Sequence, residues 1–335
     1  MSLYLAIDAG GTKTQCLLAD DRRVLARAST GTVKLMRISE EEATRRMEAM
    51  LEEVAAAAEV SLDRVTRTCF GLAGIASPAA RAWAHRIVPA LVAGDLLLCG
   101  DEEIALDAAF AGGPGILVIA GTGSNVVGRS ATGALFGAGG WGPVLGDEGS
   151  GYWIGLEALR AALRAHDRSR DQDEHPDRDH PHQYLDQPRS ELAGPSSCLL
   201  RAIERHWELD SLAELVAFAN QRSGLRRPAP DFAALAPIVA RCAQPAGDQP
   251  GDALAAQVLE RAGHELAEQV ALVARKMSAD AAEPIGVAYT GSVLSHIAPV
   301  RAAMLARLAV SVPAVRVRDT PVDPLEGALW RARQA

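Results

Sequence analysis

Residues 7–28 read IDAGGTKTQCLLADDRRVLARA, and residues 118–139 read VIAGTGSNVVGRSATGALFGAG, the same pattern 111 positions later. Each stretch predicts a strand, a tight turn rich in Gly and Thr, a second strand, a turn and a third strand. Gly10 corresponds to Gly121 and Thr12 to Gly123 in this alignment. Two similar turns in the same strand context indicate a duplicated domain.

The turn DAGGTKT at residues 8–14 has the composition of a β-hairpin turn that binds phosphate. Glycines let backbone N–H groups approach a phosphate closely, and threonine hydroxyls add donors. The chain contains no G-x-x-x-x-G-K-[ST] string of the P-loop type. Gly137, Gly139 and Gly142 form a G-x-G-x-x-G string, but Pro143 follows and no helix begins there, so we interpret that match as accidental. An ordinary glycine-rich hairpin without a ligand would explain one such turn. It explains less well the presence of two such turns together with Asp8 at the end of the first strand.

Predicted helices alternate with predicted strands, which places the chain in the α/β class. Ser39, followed by Glu42, has the spacing of a capping box and predicts a helix start. Pro78 suits the first turn of the next helix. Residues 95–100 (DLLLCG) predict a strand that ends at Asp101. Long helices are predicted near 211–223 and 253–277, a late strand at 285–292, and a final amphipathic helix from residue 323.

Residues 166–197 interrupt this pattern with a polar, proline-containing stretch that has almost no aliphatic residues. Such a composition predicts an exposed, mobile insertion. Its His and Asp residues offer metal ligands, but they lack a tight spacing such as H-E-x-x-H. We therefore favour a solvated loop over a metal site.

The composition of the 335 residues is that of a globular protein, with 48% hydrophobic and 23% charged residues. A net charge of -8 disfavours nonspecific binding to nucleic acid or to an anionic membrane. The five cysteines are scattered and include no C-x-x-C pair, which predicts reduced thiols and a cytoplasmic location. No apolar run approaches the roughly 18 to 20 residues that a membrane-spanning helix needs.

Five motifs, in order along the chain, carry a resemblance to a known family: IDAGGTKT, GDEEIALDAA, VIAGTGSN, GGWGPVLGDEGSGYWIG and YTGSV. The chain resembles the N-acetylglucosamine kinase branch of the BadF/BadG/BcrA/BcrD ATPase family, in the actin, hexokinase and heat-shock ATPase superfamily. The resemblance covers nearly the whole chain except the insertion. It implies two ribonuclease-H-like α/β domains with a cleft between them, at residues 1–112 and 113–321, with the helix at 322–335 joining the first.

The resemblance implies ATP- and Mg²⁺-dependent phosphorylation of a small-molecule sugar, first of all N-acetylglucosamine at its 6-hydroxyl, by a homodimer. Asp101 would be the base for the acceptor hydroxyl, although an Asp that opens a helix also suits an N-cap. Asp8 would orient Mg²⁺, in part through water. The predicted ATP-binding residues are Gly10, Gly11, Thr12, Lys13 and Thr14 in the first turn, Gly121, Thr122, Gly123 and Ser124 in the second, and Gly291 and Ser292 near the adenosine.

The segment GGWGPVLGDEGS is expected to line the sugar pocket. Gly140 would allow close backbone approach, Trp141 would form an apolar wall unless it belongs to the core, and Asp147 would accept from sugar hydroxyls. Lys34 stands roughly where acetylamino-sugar kinases of the family carry Asn. If Lys34 faces the pocket rather than solvent, it predicts a preference for N-acetylated or acidic amino sugars over free glucosamine.

Several other functions compete with this interpretation. The enzyme could act on glucosamine or N-acetylmuramic acid. The same family contains ATPase activators of acyl-CoA dehydratases or reductases, which bind an iron–sulfur cluster through cysteines at a subunit interface. Cys198 and Cys242 look isolated in the sequence, which argues against such a cluster. A sugar-sensing repressor is disfavoured because no helix-turn-helix segment precedes the first predicted strand.

Overall fold

The computed structural model of the chain describes residues 2–173, 197–221, 229–247, 249–277 and 284–334. Two five-stranded mixed sheets organise these residues. The first sheet has the order β3-β2-β1-β4-β5 and contains β1 (Leu3–Ala9), β2 (Lys13–Asp20), β3 (Val24–Gly31), β4 (Arg67–Leu72) and β5 (Asp95–Cys99). The second has the order β10-β9-β6-β7-β8 and contains β6 (Gly115–Ala120), β7 (Ser124–Arg129), β8 (Leu135–Gly139), β9 (Gly286–Thr290) and β10 (Arg316–Val317).

The repeat predicted from the sequence is present in the two sheets. The ends of β1 and β6, the starts of β2 and β7, and the starts of β3 and β8 each lie 111 residues apart. In both sheets the first three strands form an antiparallel meander, and later strands add parallel to the first one. The two halves of the chain therefore share one topology.

Eleven helices within the described residues cover these sheets. They are α1 (Glu40–Ala58), α2 (Pro78–Leu91), α3 (Asp101–Phe110), α4 (Gly151–Asp173), α5 (Leu199–Trp207), α6 (Leu212–Ala219), α7 (Ala236–Cys242), α8 (Ala253–Met277), α9 (Ser292–His296), α10 (Ala298–Ser311) and α11 (Pro324–Gln334).

Helix starts follow the capping signals in the sequence. The Ser39 hydroxyl accepts a hydrogen bond from the Glu42 N–H at 3.2 Å and caps α1. Pro78 occupies the first turn of α2, where its missing N–H has no partner to lose. The Ser150 hydroxyl accepts from the N–H of Trp153 at 3.1 Å, in the first turn of α4.

The first sheet is covered on both faces because its strands alternate their side chains. Leu5 and Ile7 pack toward α1 and α2, while Ala6 packs toward α11 and α3. The C-terminal helix α11 therefore lies on the first sheet, through Leu325 and Ala328. The division of the chain at residues 112 and 321 stays a prediction.

α3 lies between the two sheets. Its Ile104 belongs to the apolar cluster of the first sheet, and its Ala105 and Leu106 contact Leu117 and Ala288 of the second. The opposite face of the second sheet packs against α4, α8 and α10. This arrangement places the N-terminus of α3 where elements of both sheets meet.

The structure corrects several sequence predictions. α4 continues to Asp173, past residue 166 where the polar insertion was expected to begin. The rest of that insertion, with most of its candidate metal ligands, lies outside the described residues. α6 ends at Ala219, and the late strand ends at Thr290 because Ser292 begins α9. α5, α7, α9, α10 and β10 were not predicted. None of the described helices has the length and apolarity needed to cross a membrane.

Candidate active site

The two Gly/Thr turns predicted from the repeat meet in the structure. The first joins β1 to β2 and is closed by the Gly10 N–H, which donates to the Lys13 carbonyl at 3.0 Å. The second joins β6 to β7 and is closed by the Gly121 N–H, which donates to the Gly123 carbonyl at 2.9 Å. The hydroxyls of Thr12 and Thr122 lie 2.8 Å apart. One turn from each sheet therefore faces the same point.

Neighbouring backbone and side-chain groups hold both turns. The Thr32 hydroxyl donates to the Gly10 carbonyl at 3.0 Å, and the Thr32 N–H donates to the Thr12 carbonyl at the same distance. In the second turn, Gly121 accepts from the N–H of Gly151 at 2.7 Å, at the start of α4. Sequence reasoning missed Thr32, because a threonine after a strand has no specific signal.

Two of the predicted ATP-binding side chains point away from the turns. Thr14 is fully buried on the face that packs against α1 and α2, and its hydroxyl has no partner in the part of the chain that the structure describes. The Ser124 hydroxyl donates to the Glu148 carbonyl at 2.8 Å. Contacts of these two residues with a phosphate would therefore involve the backbone. By contrast, a Cβ added at Gly11 would meet no heavy atom within 4 Å, so this turn is open.

Asp8 occupies the penultimate position of β1, beside the first turn. The pKa of Asp8 is raised to about 7, mainly by burial and also by the nearby Asp323 carboxylate, while the Lys13 ammonium opposes both. Asp323 precedes α11 and pairs with Arg27 at 2.9 Å. The Asp8 carboxyl therefore lies in a negative environment.

Asp101 is the first residue of α3, and the N-cap is Gly100. The capping role that the sequence left open therefore falls to its neighbour. Burial raises the pKa of Asp101 well above its usual range, and a hydrogen bond with Glu102 and the charge of Asp8 raise it further. Because β1 and β5 both run parallel to β4, their carboxyl ends place Asp8 and Asp101 at one edge of the sheet.

This group of carboxyls fits Mg²⁺ held mainly by a nucleotide. Mg²⁺ retains several waters and takes one or two carboxylates together with substrate phosphates. The described residues contain no group of three or more His, Cys, Asp or Glu side chains arranged to hold a metal ion alone. The like charges that raise the pKa of Asp8 and Asp101 are the charges that a divalent cation would offset. Asp8 could hold such an ion together with nucleotide phosphates.

Asp147 lies against the second turn. Its carboxylate accepts from the Gly142 N–H at 3.0 Å, and a Cβ added at Gly123 would come within 2.8 Å of it. Burial raises the pKa of Asp147, and the Gly142 N–H and the Lys34 ammonium oppose that rise. The neighbouring Glu148 carboxylate adds to the rise in the pKa of Asp147.

Lys34 belongs to the segment that follows β3 and lies over the end of β4. Its Cε is 3.5 Å from the position of a Cβ added at Gly74. The Lys34 ammonium group also lowers the pKa of Asp147, so the two charged groups attract each other. Whether Lys34 faces a bound sugar stays a prediction.

The loop that carries Trp141 is exposed beside this group. Trp141 is 74% exposed, which excludes the alternative that it is a core residue. Val144 and Leu145 on the same loop are also exposed. Gly140 has φ 72°, a conformation that favours glycine, and lies next to Asn125 of β7. The loop thus presents an apolar surface at the mouth of the cleft.

A cavity of about 320 Å³ opens beside the second turn. Ser292, at the start of α9, lines it together with Gly121 and Thr122, whereas Gly291 does not line it. The place of Gly291 and Ser292 near the adenosine stays a prediction. The part of the cavity wall that comes from α7 and from the 3₁₀ turn Ala233–Leu235 before it was not predicted, because alanines carry no chemical signal. The unpredicted lining residues include Ala233, Ala236, Ala240, Arg241, Gln244 and His296.

The cysteines form two neighbouring pairs, which corrects the interpretation of Cys198 and Cys242 as isolated. A hydrogen bond between their thiols contributes to the raised pKa of Cys242, after burial. Cys69 and Cys99 lie with their sulfurs 4.0 Å apart inside the first sheet's core, and Cys16 lies on the opposite face. All five are free thiols. Their separation does not resemble a ligand set for an iron–sulfur cluster.

The model of the BadF/BadG/BcrA/BcrD ATPase family matches residues 5–332. The chain belongs to the BadF/BadG/BcrA/BcrD ATPase family. Among its relatives is the N-acetyl-D-glucosamine kinase of Dictyostelium discoideum, 24% identical over 97% of this chain and 96% of that protein. Another is the N-acetylmuramic acid/N-acetylglucosamine kinase of Clostridium acetobutylicum, 34% identical over 50% of this chain. That match spans 56% of the Clostridium protein.

The fold of this BadF/BadG/BcrA/BcrD family member is also found in a solved structure. The crystal structure of a candidate N-acetylglucosamine kinase from Chromobacterium violaceum matches it with a TM-score of 0.68. The match has 24% sequence identity and covers 98% of both chains. This similarity confirms the predicted architecture of two ribonuclease-H-like α/β domains.

Proposed function

We propose that this protein is an ATP-dependent kinase that phosphorylates an amino sugar, with the 6-hydroxyl of N-acetylglucosamine as the first candidate acceptor. The observation that carries the proposal is the meeting of two Gly/Thr turns, at Thr12 and Thr122, beside the carboxyls of Asp8 and Asp101. The relatives named as N-acetylglucosamine kinases support the choice of an amino sugar. A small-molecule sugar is the partner that this cleft suits.

Phosphoryl transfer requires phosphate binding, nucleoside binding, charge neutralisation and a base, and different residues of the site provide each of these. Backbone N–H groups of both turns hold the phosphates, and the 320 Å³ cavity beside Ser292 takes the nucleoside. Asp8 would hold Mg²⁺, which would supply charge neutralisation. Asp101 accepts the proton of the sugar hydroxyl. The hydroxyl oxygen then bonds to the γ-phosphorus of ATP, while the bond between that phosphorus and the bridging oxygen breaks and ADP leaves. The raised pKa of Asp101 makes it a stronger base than an exposed carboxylate.

A panel of acceptors tests this function. ADP release is measured with amino sugars, neutral hexoses and acyl-CoA partners, each with and without Mg²⁺. We expect release to require both Mg²⁺ and an N-acetylated amino sugar. ATP hydrolysis that is independent of sugar, or that responds to an acyl-CoA partner protein, would favour the ATPase-activator alternative of the same family.

A second acceptor, N-acetylmuramic acid, is favoured by Lys34. Its ammonium group interacts with Asp147 beside the second turn, and we propose that it pairs with the lactyl carboxylate of that sugar. Replacing Lys34 with Gln should lower kcat/KM for N-acetylmuramic acid by about tenfold, a loss of about 1.4 kcal/mol. N-acetylglucosamine should change by no more than about twofold. Lys34→Arg keeps the charge and serves as the control; an equal loss for both sugars in Lys34→Gln would show that Lys34 does not recognise the carboxylate.

The ionisation of Asp8 predicts how stability depends on pH. Below pH 3.8 this carboxyl is protonated in both folded and unfolded chains. Between pH 3.8 and about 7 the unfolded chain ionises while the folded chain keeps its proton, so stability falls as pH rises through this window. Asp8→Asn removes the titration and should raise the Tm of the ligand-free protein above pH 7, but not below pH 3.8.

The same variant separates stability from function. Asp8→Asn should lose Mg²⁺-dependent turnover while it gains thermal stability at neutral pH. Asp323→Asn is the matched control, because it removes the neighbouring charge and leaves Asp8 in place. A Tm difference between Asp8→Asn and wild type that does not vary with pH would refute the assigned ionisation.

A cytoplasmic location and a homodimeric state belong to the same proposal. The five free thiols suit a reducing compartment. Light scattering at several protein concentrations would measure the oligomeric state directly.

A further inference from the structure

A network of four charged side chains joins the two sheets next to α3. We call Glu103, Asp107, Arg129 and Arg331 the interdomain network. Asp107 and Glu103 belong to α3, Arg129 to β7 of the second sheet, and Arg331 to α11 on the first sheet. The network contains two carboxylates and two guanidinium groups, so its charges balance.

Asp107 is the centre of this network. Its side chain is only 1% exposed, and each of its oxygens accepts from a different guanidinium. Arg129 donates to one oxygen at 2.8 Å, and Arg331 donates to the other at 2.6 Å. A buried ion pair is weak evidence for stability because desolvation opposes it, but it holds specific elements in one arrangement. Here it holds β7 and α11 against the same residue of α3.

A second branch leads from this network to the start of α3. Arg331 also donates to one oxygen of Glu103 at 3.1 Å. The other oxygen of Glu103 accepts from the Gly100 N–H at 3.1 Å. A continuous chain of hydrogen bonds therefore runs from the second sheet to Gly100, the residue directly before the proposed base Asp101.

We infer that Glu103 and Arg331 are positioning residues that set the Asp101 carboxyl relative to the two phosphate turns. The inference rests on the proposed function, since it assumes that Asp101 takes the proton of the acceptor. Arg129 and Asp107 connect the second sheet to α3. Arg331 and Glu103 connect Asp107 to the N-terminus of α3, so the position of that terminus depends on how the two sheets are arranged. Small displacements of a reacting group lower the rate of the chemical step without weakening binding.

Glu103→Gln is the variant that tests this role. A glutamine has one carbonyl oxygen and cannot accept from both Gly100 and Arg331 in the observed geometry, whereas Asp107 keeps both partners. We expect kcat for sugar phosphorylation to fall about tenfold or more, with KM for ATP and for sugar changed by no more than about twofold. Arg331→Gln is less suitable alone, because it leaves the buried Asp107 with one partner and is expected to destabilise the fold.

A double-mutant cycle shows whether the loss of kcat in Glu103→Gln depends on Asp101. Glu103→Gln is made in wild type and in Asp101→Asn, and kcat is compared across the four proteins at equal folded fraction. A positioning role predicts that the tenfold loss disappears in the Asp101→Asn background, because the base is already absent. Arg307→Gln, which breaks an exposed ion pair with Glu268 on α8, is the control and should leave kcat unchanged.

The outcomes separate this inference from the proposed function. If wild type phosphorylates an amino sugar and Glu103→Gln keeps its kcat, the positioning role is wrong and the function stands. A loss of equal size in both backgrounds would also overturn the positioning role, because it would not depend on Asp101. If wild type transfers no phosphate to any sugar, the proposed function fails and the inference fails with it.

Discussion

Replacing Asp101 with Asn should lower kcat for sugar phosphorylation by about 10² to 10⁴, the range that a positioned general base contributes. Asparagine keeps the shape of the side chain but does not take the proton of the acceptor hydroxyl. Asp101 begins α3 and does not cap it, so the fold should tolerate the change. Loss of a buried carboxyl whose pKa is raised should even stabilise the ligand-free protein at neutral pH.

Nucleotide binding provides the control for this variant. The dissociation constant of ATP, measured by calorimetry, should stay within about threefold of wild type, since phosphate contacts come from the turns. Asp95→Asn makes the same substitution on an exposed residue at the other end of β5 and should retain most of the activity. Turnover of Asp101→Asn close to wild type would show that another group takes the proton.

Replacing Gly291 with Ala should disrupt the second phosphate turn. Gly291 has φ 98°, and a Cβ there would lie 2.3 Å from the Ala120 carbonyl oxygen at the end of β6. Because the obstacle is backbone at the base of the turn, it has little room to yield. We expect a loss of about 3 to 5 kcal/mol in the free energy of unfolding, from backbone strain and overpacking together. ATP affinity should also fall.

Gly133→Ala separates the cost of backbone strain from the cost of overpacking. Gly133 has φ 84°, but a Cβ there meets no heavy atom within 4 Å. This variant should therefore lose only about 1 to 2 kcal/mol, from the left-handed backbone alone, and keep its ATP affinity. Equal losses in the two variants, measured by urea unfolding, would contradict the proposed clash with β6.

The antiparallel half of each sheet could be predicted because the signals for it are local. A repeated hairpin with a short turn sets the pairing of neighbouring strands, and the repeat at 111 residues extends this to the second sheet. The approach of Asp8 and Asp101 follows from a general rule, since parallel strands end at one edge of a sheet.

Side-chain direction could have been predicted for Thr14 but was not. Side chains alternate along a strand, so Thr14 shares its face with Cys16, which packs toward α1. Asp8 follows Ile7 and therefore points to the opposite face. Thr14 was assigned to the phosphate site from its place in the glycine-rich motif, without considering that side chains alternate between the two faces of a strand.

Other parts of the site depend on contacts between distant residues. Arg331 reaches Asp107 across 224 positions, and nothing near either residue indicates the pair. The approach of Cys198 to Cys242 and the alanines of α7 beside the nucleotide cavity are also products of tertiary packing. Such contacts become visible only when the helices have been placed.

The central claim is that the two turns and Asp101 transfer a phosphoryl group to a sugar hydroxyl. Phosphorus NMR of a reaction with ATP, Mg²⁺ and N-acetylglucosamine tests it directly. We predict a phosphomonoester signal coupled to the two protons on C6 of the sugar, formed in equal amount to ADP and absent with the 6-deoxy sugar. Release of inorganic phosphate with the sugar unmodified would contradict the claim.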